Sequence, residues 1–307
     1  MIYPDGKRYL SLDSVLKREF GKKTVKVPLN AGFGCPNRDG SKGIGGCIFC
    51  SGRCSGEFAG NPCESLYSQF EAVKALYLKK WGETNYIAYL QAGSNTYSDP
   101  EALSEIYESC LKLPAVGLSI ATRADCITPQ IADLLYGISK RTYLTVELGL
   151  QSSSDITAGI INRGHTFGEF LTGYGLLFER GIRVCVHIIN GLPGETRRDM
   201  LKTAGDVARL NPYEIKIHLL HIIKGTAAER MYLDGRLAPM DKNEYTATVC
   251  DQLELLPPST AIGRLTGDGD RKTLIAPMWS TDKKTVLNSI SKELSARESF
   301  QGKYYSK

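Results

Sequence analysis

The chain has 307 residues, 42% of them hydrophobic and 23% charged, with a net charge of +5 and a pI near 8.6. These values are ordinary for a soluble globular protein, and no apolar run approaches the roughly 20 residues that a membrane-spanning helix needs. The N-terminal stretch lacks the apolar core of a signal peptide, and a reducing cytosol explains nine cysteines better than disulfides do. We therefore expect a cytoplasmic protein without a membrane partner. The mild basic charge is compatible with a polyanionic partner but does not require one.

Six short runs rich in β-branched and aromatic residues recur along the chain, with helix-like stretches between them. This βαβ pattern is typical of a parallel sheet covered by helices. The predicted strands span residues 25–30, 86–91, 116–121, 143–150, 183–190 and 214–221. Six such units predict an α/β fold, an incomplete (β/α)6 barrel of the TIM type.

Capping residues predict where the helices begin. Three of them precede a proline, which is tolerated at the first helical position. Three others have a glutamate three residues later, the spacing of a capping box or its close variant. The predicted starts are Asn61-Pro62, Asp99-Pro100, Thr128-Pro129, Thr166, Thr226 and Asp241.

The C-terminal part departs from the βα pattern. A strand is predicted near residues 261–266, and an amphipathic helix over residues 283–296. We therefore divide the chain into an N-terminal extension (1–24), a partial barrel (25–245) and a small α+β C-terminal extension (246–307).

The loop after the first predicted strand concentrates cysteines in the sequence CPNRDGSKGIGGCIFC. Eleven residues separate Cys35 from Cys47, and two separate Cys47 from Cys50. Three thiolates in a loop this rich in glycine can bind one metal centre, and an iron–sulfur cube held by three thiolates leaves one iron open for a small molecule. Cys54 and Cys63 follow closely, so four of these cysteines can also form a structural zinc site, or all can stay unligated.

Polar motifs follow the other predicted strands as well. In a parallel α/β barrel the active site lies at the carboxyl ends of the strands, so these loops are expected to meet in one site. After the cysteine loop the motifs read QAGSNTY, TRADC, ELGLQ, NGLPGE and HIIKG.

These motifs, with INRGH and KIHLLHIIKGT, resemble the radical SAM superfamily in its Elp3-like or coproporphyrinogen-oxidase-like branch, and most closely the YhcC/YtqA-like group over nearly the whole length. The resemblance implies a barrel of the radical SAM type. It also implies that Cys35, Cys47 and Cys50 hold a 4Fe-4S cluster whose open iron is chelated by S-adenosylmethionine (SAM). Two features depart from the superfamily pattern: the first cysteine gap is eleven residues rather than three, and Gly93-Ser94-Asn95-Thr96 stands where Gly-Gly-Glu is usual.

Further SAM contacts follow from the chemistry of SAM and from the resemblance. Arg163 suits the SAM carboxylate, because a guanidinium can donate two charge-assisted hydrogen bonds to it. Glu147 and Gln151 lie on the same face of a strand and suit the ribose or the amino group. Gly191 permits a tight turn that suits the adenine. An ordinary ion pair is the alternative for the arginines, and a satisfied core position for His187, His218 and His221. The candidate SAM contacts are Gly93, Ser94, Asn95, Thr96, Arg123, Glu147, Gln151, Arg163 and Gly191, and no catalytic residue is assigned.

The implied activity is reductive cleavage of SAM to a 5'-deoxyadenosyl radical, with an electron donor such as flavodoxin or ferredoxin. Relatives point to tRNA, where a carboxymethylaminomethyl group on the wobble uridine becomes aminomethyl. The helix at 283–296 has Lys283, Lys284, Lys292 and Arg297 as a basic face, which is either solvated or a nucleic-acid contact. The alternatives are a radical SAM enzyme for a small metabolite or peptide, and a non-catalytic metal-binding module that binds RNA.

Overall fold

A curled sheet of seven parallel strands forms the centre of the fold. The computed structural model describes residues 1–54, 56–267 and 269–306. The strands are β1 (Thr24–Leu29), β2 (Asn85–Leu90), β3 (Gly117–Thr122), β4 (Tyr143–Gln151), β5 (Arg183–Asn190), β6 (Glu214–Leu219), β7 (Ile222–Ile223), β8 (Ala261–Arg264) and β9 (Leu274–Ala276). The large sheet has the order β1-β2-β3-β4-β5-β6-β8, and β7 pairs with β9 in a separate antiparallel sheet.

Helices connect successive strands of the sheet. They are α1 (Leu12–Phe20), α2 (Leu66–Trp81), α3 (Pro100–Leu111), α4 (Pro129–Ser139), α5 (Asp155–Ile160), α6 (Phe167–Phe178), α7 (Arg197–Leu210), α8 (Ala227–Leu233), α9 (Lys242–Leu255) and α10 (Lys283–Ala296). Five of the six predicted starts are confirmed, because α3, α4, α6, α8 and α9 begin directly after their predicted capping residues. The capping box of α6 is complete: the N–H of Glu169 donates to the Thr166 hydroxyl at 3.1 Å, and its carboxylate accepts from the N–H of Thr166 at 2.8 Å.

One predicted helix start is wrong. The helix α2 begins at Leu66 and not at Pro62, and the hydroxyl of Ser65 caps it by accepting from the N–H of Ser68 at 3.1 Å. The side chain of Asn61 instead accepts from the N–H of Cys63 at 3.1 Å, which closes a local turn. Asn61 is therefore used in the loop that leads to the helix.

The predicted α/β partial barrel is confirmed, and its sheet has one strand more than the six predicted. The extra strand, β8, lies in the segment predicted as the C-terminal extension and runs parallel to β6, with Glu214 opposite Ala261. The strand predicted near residues 261–266 is thus present as β8, but only its pairing with β6 identifies it as part of the barrel. Residues 268 and 307 of that predicted extension lie outside the described residues.

The two faces of the sheet differ in polarity because successive strand residues point to opposite sides. Outward-facing residues such as Val146, Leu148, Ile215 and Ile217 are fully buried and pack in the main hydrophobic core, which the covering helices share. The alternate positions face the inside of the half-barrel and are polar on six strands: Lys26, Tyr89, Ser119, Glu147, His187 and Lys216.

The helix α1 closes the open side of the half-barrel. It contacts both edge strands, β1 and β8, and the N–H of Ile262 in β8 donates to the carbonyl of Leu10 at 2.7 Å. Among the described residues, no helix combines the length and apolar composition needed to cross a membrane.

Candidate active site

The loop after β1 carries Cys35, Cys47 and Cys50, the three predicted cluster ligands. The N–H of Cys50 donates to the carbonyl of Cys47 at 3.0 Å, which makes a tight turn between these two cysteines. Asn162, between α5 and α6, donates from Nδ2 to the carbonyl of Gly46 at 2.8 Å. The cysteine loop is therefore attached to the segment that follows β4 as well as to its own strand.

Cys47 has the most polar surroundings of the three cysteines. Its Sγ lies 3.6 Å from Nη1 of Arg163 and 3.7 Å from Nδ2 of Asn37, and both groups donate to it. A hydrogen bond from the Cys50 side chain holds the pKa of Cys47 well below its usual range; the charge of Arg163 adds to this, and burial opposes it. A thiolate held in this way is the form that binds metal.

Cys54 and Cys63 fit a metal site less well. Burial raises the pKa of Cys54, which disfavours its thiolate, and Cys63 is exposed and lies outside the cavity described below. The donor set thus fits a three-thiolate iron–sulfur centre at Cys35, Cys47 and Cys50 better than a four-cysteine zinc site.

The motif Gly93-Ser94-Asn95-Thr96 supports the cysteine loop through its backbone. The N–H of Gly93 donates to the carbonyl of Cys54 at 3.2 Å, and the N–H of Ser94 donates to that of Gly34 at 2.9 Å. Gly93 has φ +77°, and a Cβ there would lie 2.2 Å from the carbonyl oxygen of Phe33, so no other residue fits without a backbone shift.

Asn95 and Thr96 are buried behind this contact. The amide of Asn95 donates to the carbonyls of Leu90 and Ala121, at 3.1 and 2.8 Å, and the hydroxyl of Thr96 pairs with that of Thr122 at 2.6 Å. The Asn95 side chain therefore connects β2 with β3, and the Thr96 side chain connects the loop after β2 with β3.

Two arginines lie behind the cysteine loop. Arg163 donates to Cys47 and to the carbonyl of Gly149, while its Nε is buried without a hydrogen-bond partner among the described residues. Arg123 forms a bidentate pair with Asp125, with both N···O distances 2.9 Å, and donates to the carbonyl of Arg163 at 2.8 Å. Arg123 thus positions Arg163, and Arg163 retains a donor for a ligand.

Two further predicted SAM contacts lie at the ends of strands. Gln151 ends β4 at a register shift, with φ +75°, a backbone conformation that few non-glycine residues adopt. Gly191 has φ +82° at the end of β5, and a Cβ there would lie 2.9 Å from Cγ of Met240.

A cavity of about 1160 Å³ connects the cysteine loop with the interior of the half-barrel. Asn95, Thr96 and Gly191 do not line it. The predicted site residues that do are Cys35, Cys47, Cys50, Gly93, Ser94, Arg123, Glu147, Gln151 and Arg163.

Comparison with known families agrees with this arrangement. A sequence model of the radical SAM superfamily matches residues 29–207, and one of the radical SAM C-terminal domain matches residues 212–296. The chain belongs to the radical SAM superfamily. The resemblance predicted from the motifs is thereby confirmed.

Two similar proteins match this radical SAM chain over most of their length. YtqA of Bacillus subtilis is 49% identical over 300 residues, which cover 97% of this chain and 93% of YtqA. YhcC of Escherichia coli is 34% identical over 284 residues, which cover 91% of this chain and 90% of YhcC.

Two further similarities are more distant. A tRNA uridine(34) acetyltransferase of Dehalococcoides mccartyi is 30% identical over 158 residues, 50% of this chain and 33% of that protein. The structure of Elp3 from Methanocaldococcus infernus has a TM-score of 0.69 at 17% identity, covering 91% of this chain and 64% of that chain. The second similarity concerns the fold.

Glu147 is the centre of a polar cluster inside this radical SAM barrel. Its side chain is fully buried, and its two oxygens accept hydrogen bonds from five side chains on five other strands. Oε1 accepts from Lys26 at 2.5 Å and Ser119 at 2.8 Å, and Oε2 from Lys216 at 2.5 Å, Tyr89 at 2.8 Å and His187 at 2.8 Å. We call these six residues the interior cluster.

Three residues of the interior cluster, Glu147, Lys26 and Lys216, are ionised. Burial alone would raise the pKa of Glu147, but Lys216 and Lys26 outweigh it and hold the pKa well below the usual range. Burial would lower the pKa of both lysines, and Glu147 reverses this, so both pKa values are raised. The rings of His187 and His218 lie 5.1 Å apart. Burial lowers the pKa of His187 and, more strongly, the pKa of His218, so both histidines are neutral near pH 7.

The sequence analysis placed Glu147 among the candidate SAM contacts, but it missed the partners Lys26, Tyr89, Ser119 and Lys216. A signal was present. The strands TVKVPL and EIKIHL carry lysine at positions that alternate with buried apolar residues. An inward lysine in an otherwise apolar strand is unusual, and it indicates an internal carboxylate or ligand.

The predicted helix over residues 283–296 is confirmed as α10, and Lys284 and Lys292 are exposed on it. Arg297 does not extend this basic face. Its guanidinium pairs with Asp251 of α9 and with Glu293 of α10, each at 2.7 Å, so it connects the two helices.

Proposed function

We propose that this protein is a radical SAM enzyme that removes the carboxymethyl group from carboxymethylaminomethyl uridine at the wobble position of tRNA and leaves aminomethyl uridine. The observation that carries the proposal is the continuous cavity between the cysteine loop and the interior cluster. Its volume of about 1160 Å³ exceeds the roughly 300–1,000 Å³ of a pocket for one ligand. It therefore has room for SAM and for an extruded nucleoside together.

In this proposal Cys35, Cys47 and Cys50 hold the 4Fe-4S cluster, and a donor such as flavodoxin or ferredoxin reduces it. With SAM bound, the cluster would supply a 5'-deoxyadenosyl radical for hydrogen abstraction from the methylene between the carboxylate and the amine. Loss of one further electron to the oxidised cluster would give an imine, and its hydrolysis by water would release the carboxymethyl group as glyoxylate and leave the aminomethyl group. The unpaired Nε of Arg163 suits the SAM carboxylate, since a buried donor without an acceptor is costly. Gln151 lines the same cavity and suits the ribose or the amino group.

The other predicted SAM residues support the site from behind. Gly93 and Ser94 hold the cysteine loop, Asn95 and Thr96 connect the strands below it, and Gly191 makes a turn against Met240. Arg123 positions Arg163. Glu147 has both oxygens occupied by the interior cluster, so we assign it to substrate binding and not to SAM.

Several observations support an RNA substrate. The Dehalococcoides mccartyi relative bears the name tRNA uridine(34) acetyltransferase, and the fold is similar to that of an Elp3 protein. Anticodon-loop bases are single-stranded and can be extruded into a deep pocket. Lys283 lines the cavity at the start of α10, and the exposed Lys284 follows it, which suits contact with RNA phosphates and predicts salt-sensitive binding.

We also propose a cytoplasmic location. All nine cysteines are free thiols, including four buried ones that do not line the cavity, which suits a reducing compartment. A tRNA substrate requires the same compartment.

Mass spectrometry of tRNA nucleosides from a strain lacking the gene tests the function. Carboxymethylaminomethyl uridine should accumulate at the expense of its aminomethyl product. The intact gene and a Cys63→Ala variant should restore the profile, and a Cys47→Ala variant should not. An unchanged nucleoside profile in the deletion strain would refute the tRNA substrate and direct the search to a small metabolite or peptide.

A further inference from the structure

We propose that Lys26 and Lys216 together bind the carboxylate of the substrate, and that Glu147 holds their ammonium groups in position. This inference rests on the proposed function, which supplies a substrate with a carboxymethyl group. It assigns a role to the interior cluster that neither the cysteine loop nor SAM requires.

The first argument is access from the cavity. Nζ of Lys26 and Nζ of Lys216 each lie 2.5 Å from a different oxygen of Glu147. The lysine side chains are 16% and 8% exposed and line the cavity, whereas the Glu147 side chain is 0% exposed. A ligand that reaches this wall therefore meets the two ammonium groups, with the carboxylate covered behind them.

The second argument is hydrogen-bonding capacity. A carboxylate offers about four acceptor sites, and Glu147 already accepts from five side chains, so it is saturated. Each ammonium group carries three donors. Among the described residues, Lys216 donates to Glu147, and Lys26 has Glu147 and, at 3.6 Å, Glu214. Both lysines retain donors for an additional acceptor.

Tyr89 makes the lysine pair rigid. Its hydroxyl donates to Glu147 at 2.8 Å, and its ring centroid lies 5.5 Å from Nζ of Lys26 and 5.1 Å from Nζ of Lys216. Both ammonium groups are thus attracted by the aromatic ring as well as by the carboxylate of Glu147. A receptor fixed before binding loses less conformational entropy when its ligand arrives.

A cation site is the competing interpretation. Glu147, Cys185 and His187 offer ligand atoms that all lie within 4.8 Å of one another. However, the two ammonium groups already occupy the Glu147 oxygens, and a cation bound there would lie beside two positive charges. The arrangement therefore favours an anion.

The test compares two anticodon stem-loop RNAs that differ only in the wobble nucleoside, carboxymethylaminomethyl uridine or aminomethyl uridine. Dissociation constants are measured with the cluster-loaded, SAM-bound protein without reductant, and conversion is measured after reduction. Charged hydrogen bonds contribute about 1.5–3 kcal/mol, so Lys26→Met and Lys216→Met should each reduce the preference for the carboxylate RNA roughly 10- to 100-fold. The affinity for the aminomethyl RNA, which lacks the carboxylate, should fall less than the affinity for the carboxylate RNA.

Two further variants make the comparison specific. Lys216→Arg keeps the charge and should retain part of the preference. Lys202→Met removes a lysine that pairs with Asp206 at 2.8 Å on the exposed surface of α7, and it should retain all of the preference. Because Lys26 is the more exposed of the two lysines that pair with Glu147, Lys26→Met tests the inference even if Lys216→Met fails to fold.

The outcomes separate the two proposals. If the unsubstituted protein converts the carboxylate RNA while both methionine variants keep its preference, the carboxylate is bound elsewhere and this inference is wrong, although the proposed function stands. If the unsubstituted protein neither prefers nor converts that RNA, the proposed function is wrong, and the inference fails with it.

Discussion

The substitution Glu147→Gln keeps the shape of the side chain and removes its charge. In the folded protein this side chain is fully buried and accepts from two ammonium groups at 2.5 Å. Removing one partner from such a buried arrangement leaves uncompensated charge and costs about 3–5 kcal/mol. We expect the free energy of unfolding to fall by this amount, a large part of the roughly 5–15 kcal/mol that stabilises a typical domain.

The pH dependence gives a second signature of the same substitution. In the unsubstituted protein, burial acts to lower the pKa of Lys26 and Lys216, and Glu147 outweighs it, so both values lie above those of the unfolded chain. Their contribution is therefore complete below the unfolded value of about 10.4 and is lost as pH rises through the folded value. In Glu147→Gln the main opposing charge is removed, and burial, the largest influence on both lysines, outweighs the weaker attraction of Glu214 and lowers the folded pKa. The stability deficit should therefore shrink as pH rises from about 7 towards about 10.

Urea unfolding under anaerobic conditions, followed by circular dichroism at several pH values, measures both effects. Glu108→Gln is the matched control, because Glu108 pairs with Arg141 on the surface and should leave the unfolding midpoint unchanged. The double variant Glu147→Gln/Lys216→Met should be more stable than Glu147→Gln, since it removes one uncompensated charge. An unfolding midpoint of Glu147→Gln equal to that of the unsubstituted protein at neutral pH would refute the charge argument.

Three further predictions concern the cysteine loop and its supports. Alanine at Cys35, Cys47 or Cys50 should abolish the brown colour and the roughly four irons per chain of the anaerobically reconstituted protein. The control Cys63→Ala should keep the colour and the iron. A colourless Cys63→Ala protein would mean that the ligands are misassigned. Arg163→Lys should weaken SAM binding in equilibrium dialysis, because an ammonium group cannot reproduce the guanidinium fork; unchanged binding would leave Arg163 a structural role only. Gly93→Ala should reduce the iron content, because its Cβ would lie 2.2 Å from the carbonyl oxygen of Phe33. The control Gly175→Ala in α6, where no atom is found within 4 Å of the added Cβ, should keep the full iron content and gain up to about 1 kcal/mol of stability. Equal iron content in both variants would contradict the close approach at Gly93.

Local signals in the sequence determined the order and type of the elements. The strand Arg183–Asn190 and the helix Lys283–Ala296 have the predicted bounds, because their periodicity and caps lie within the segment itself. The spacing of Cys35, Cys47 and Cys50 is likewise local, and it indicated the superfamily that the sequence comparison confirms. Predictions failed where two local signals competed, as at Asn61, whose side chain forms a turn and not a helix cap.

Tertiary structure alone decided which side chains meet inside the barrel. Lys26, Glu147 and Lys216 are far apart in the chain, and they converge because the sheet curls and its parallel register places inward positions of β1, β4 and β6 around one space. The same register places Gly93, after β2, against Phe33, after β1, and the packing of α10 on α9 pairs Arg297 with Asp251. A sequence shows that a strand has a polar inward residue, but the partner of that residue depends on strand curvature and register, which long-range packing sets.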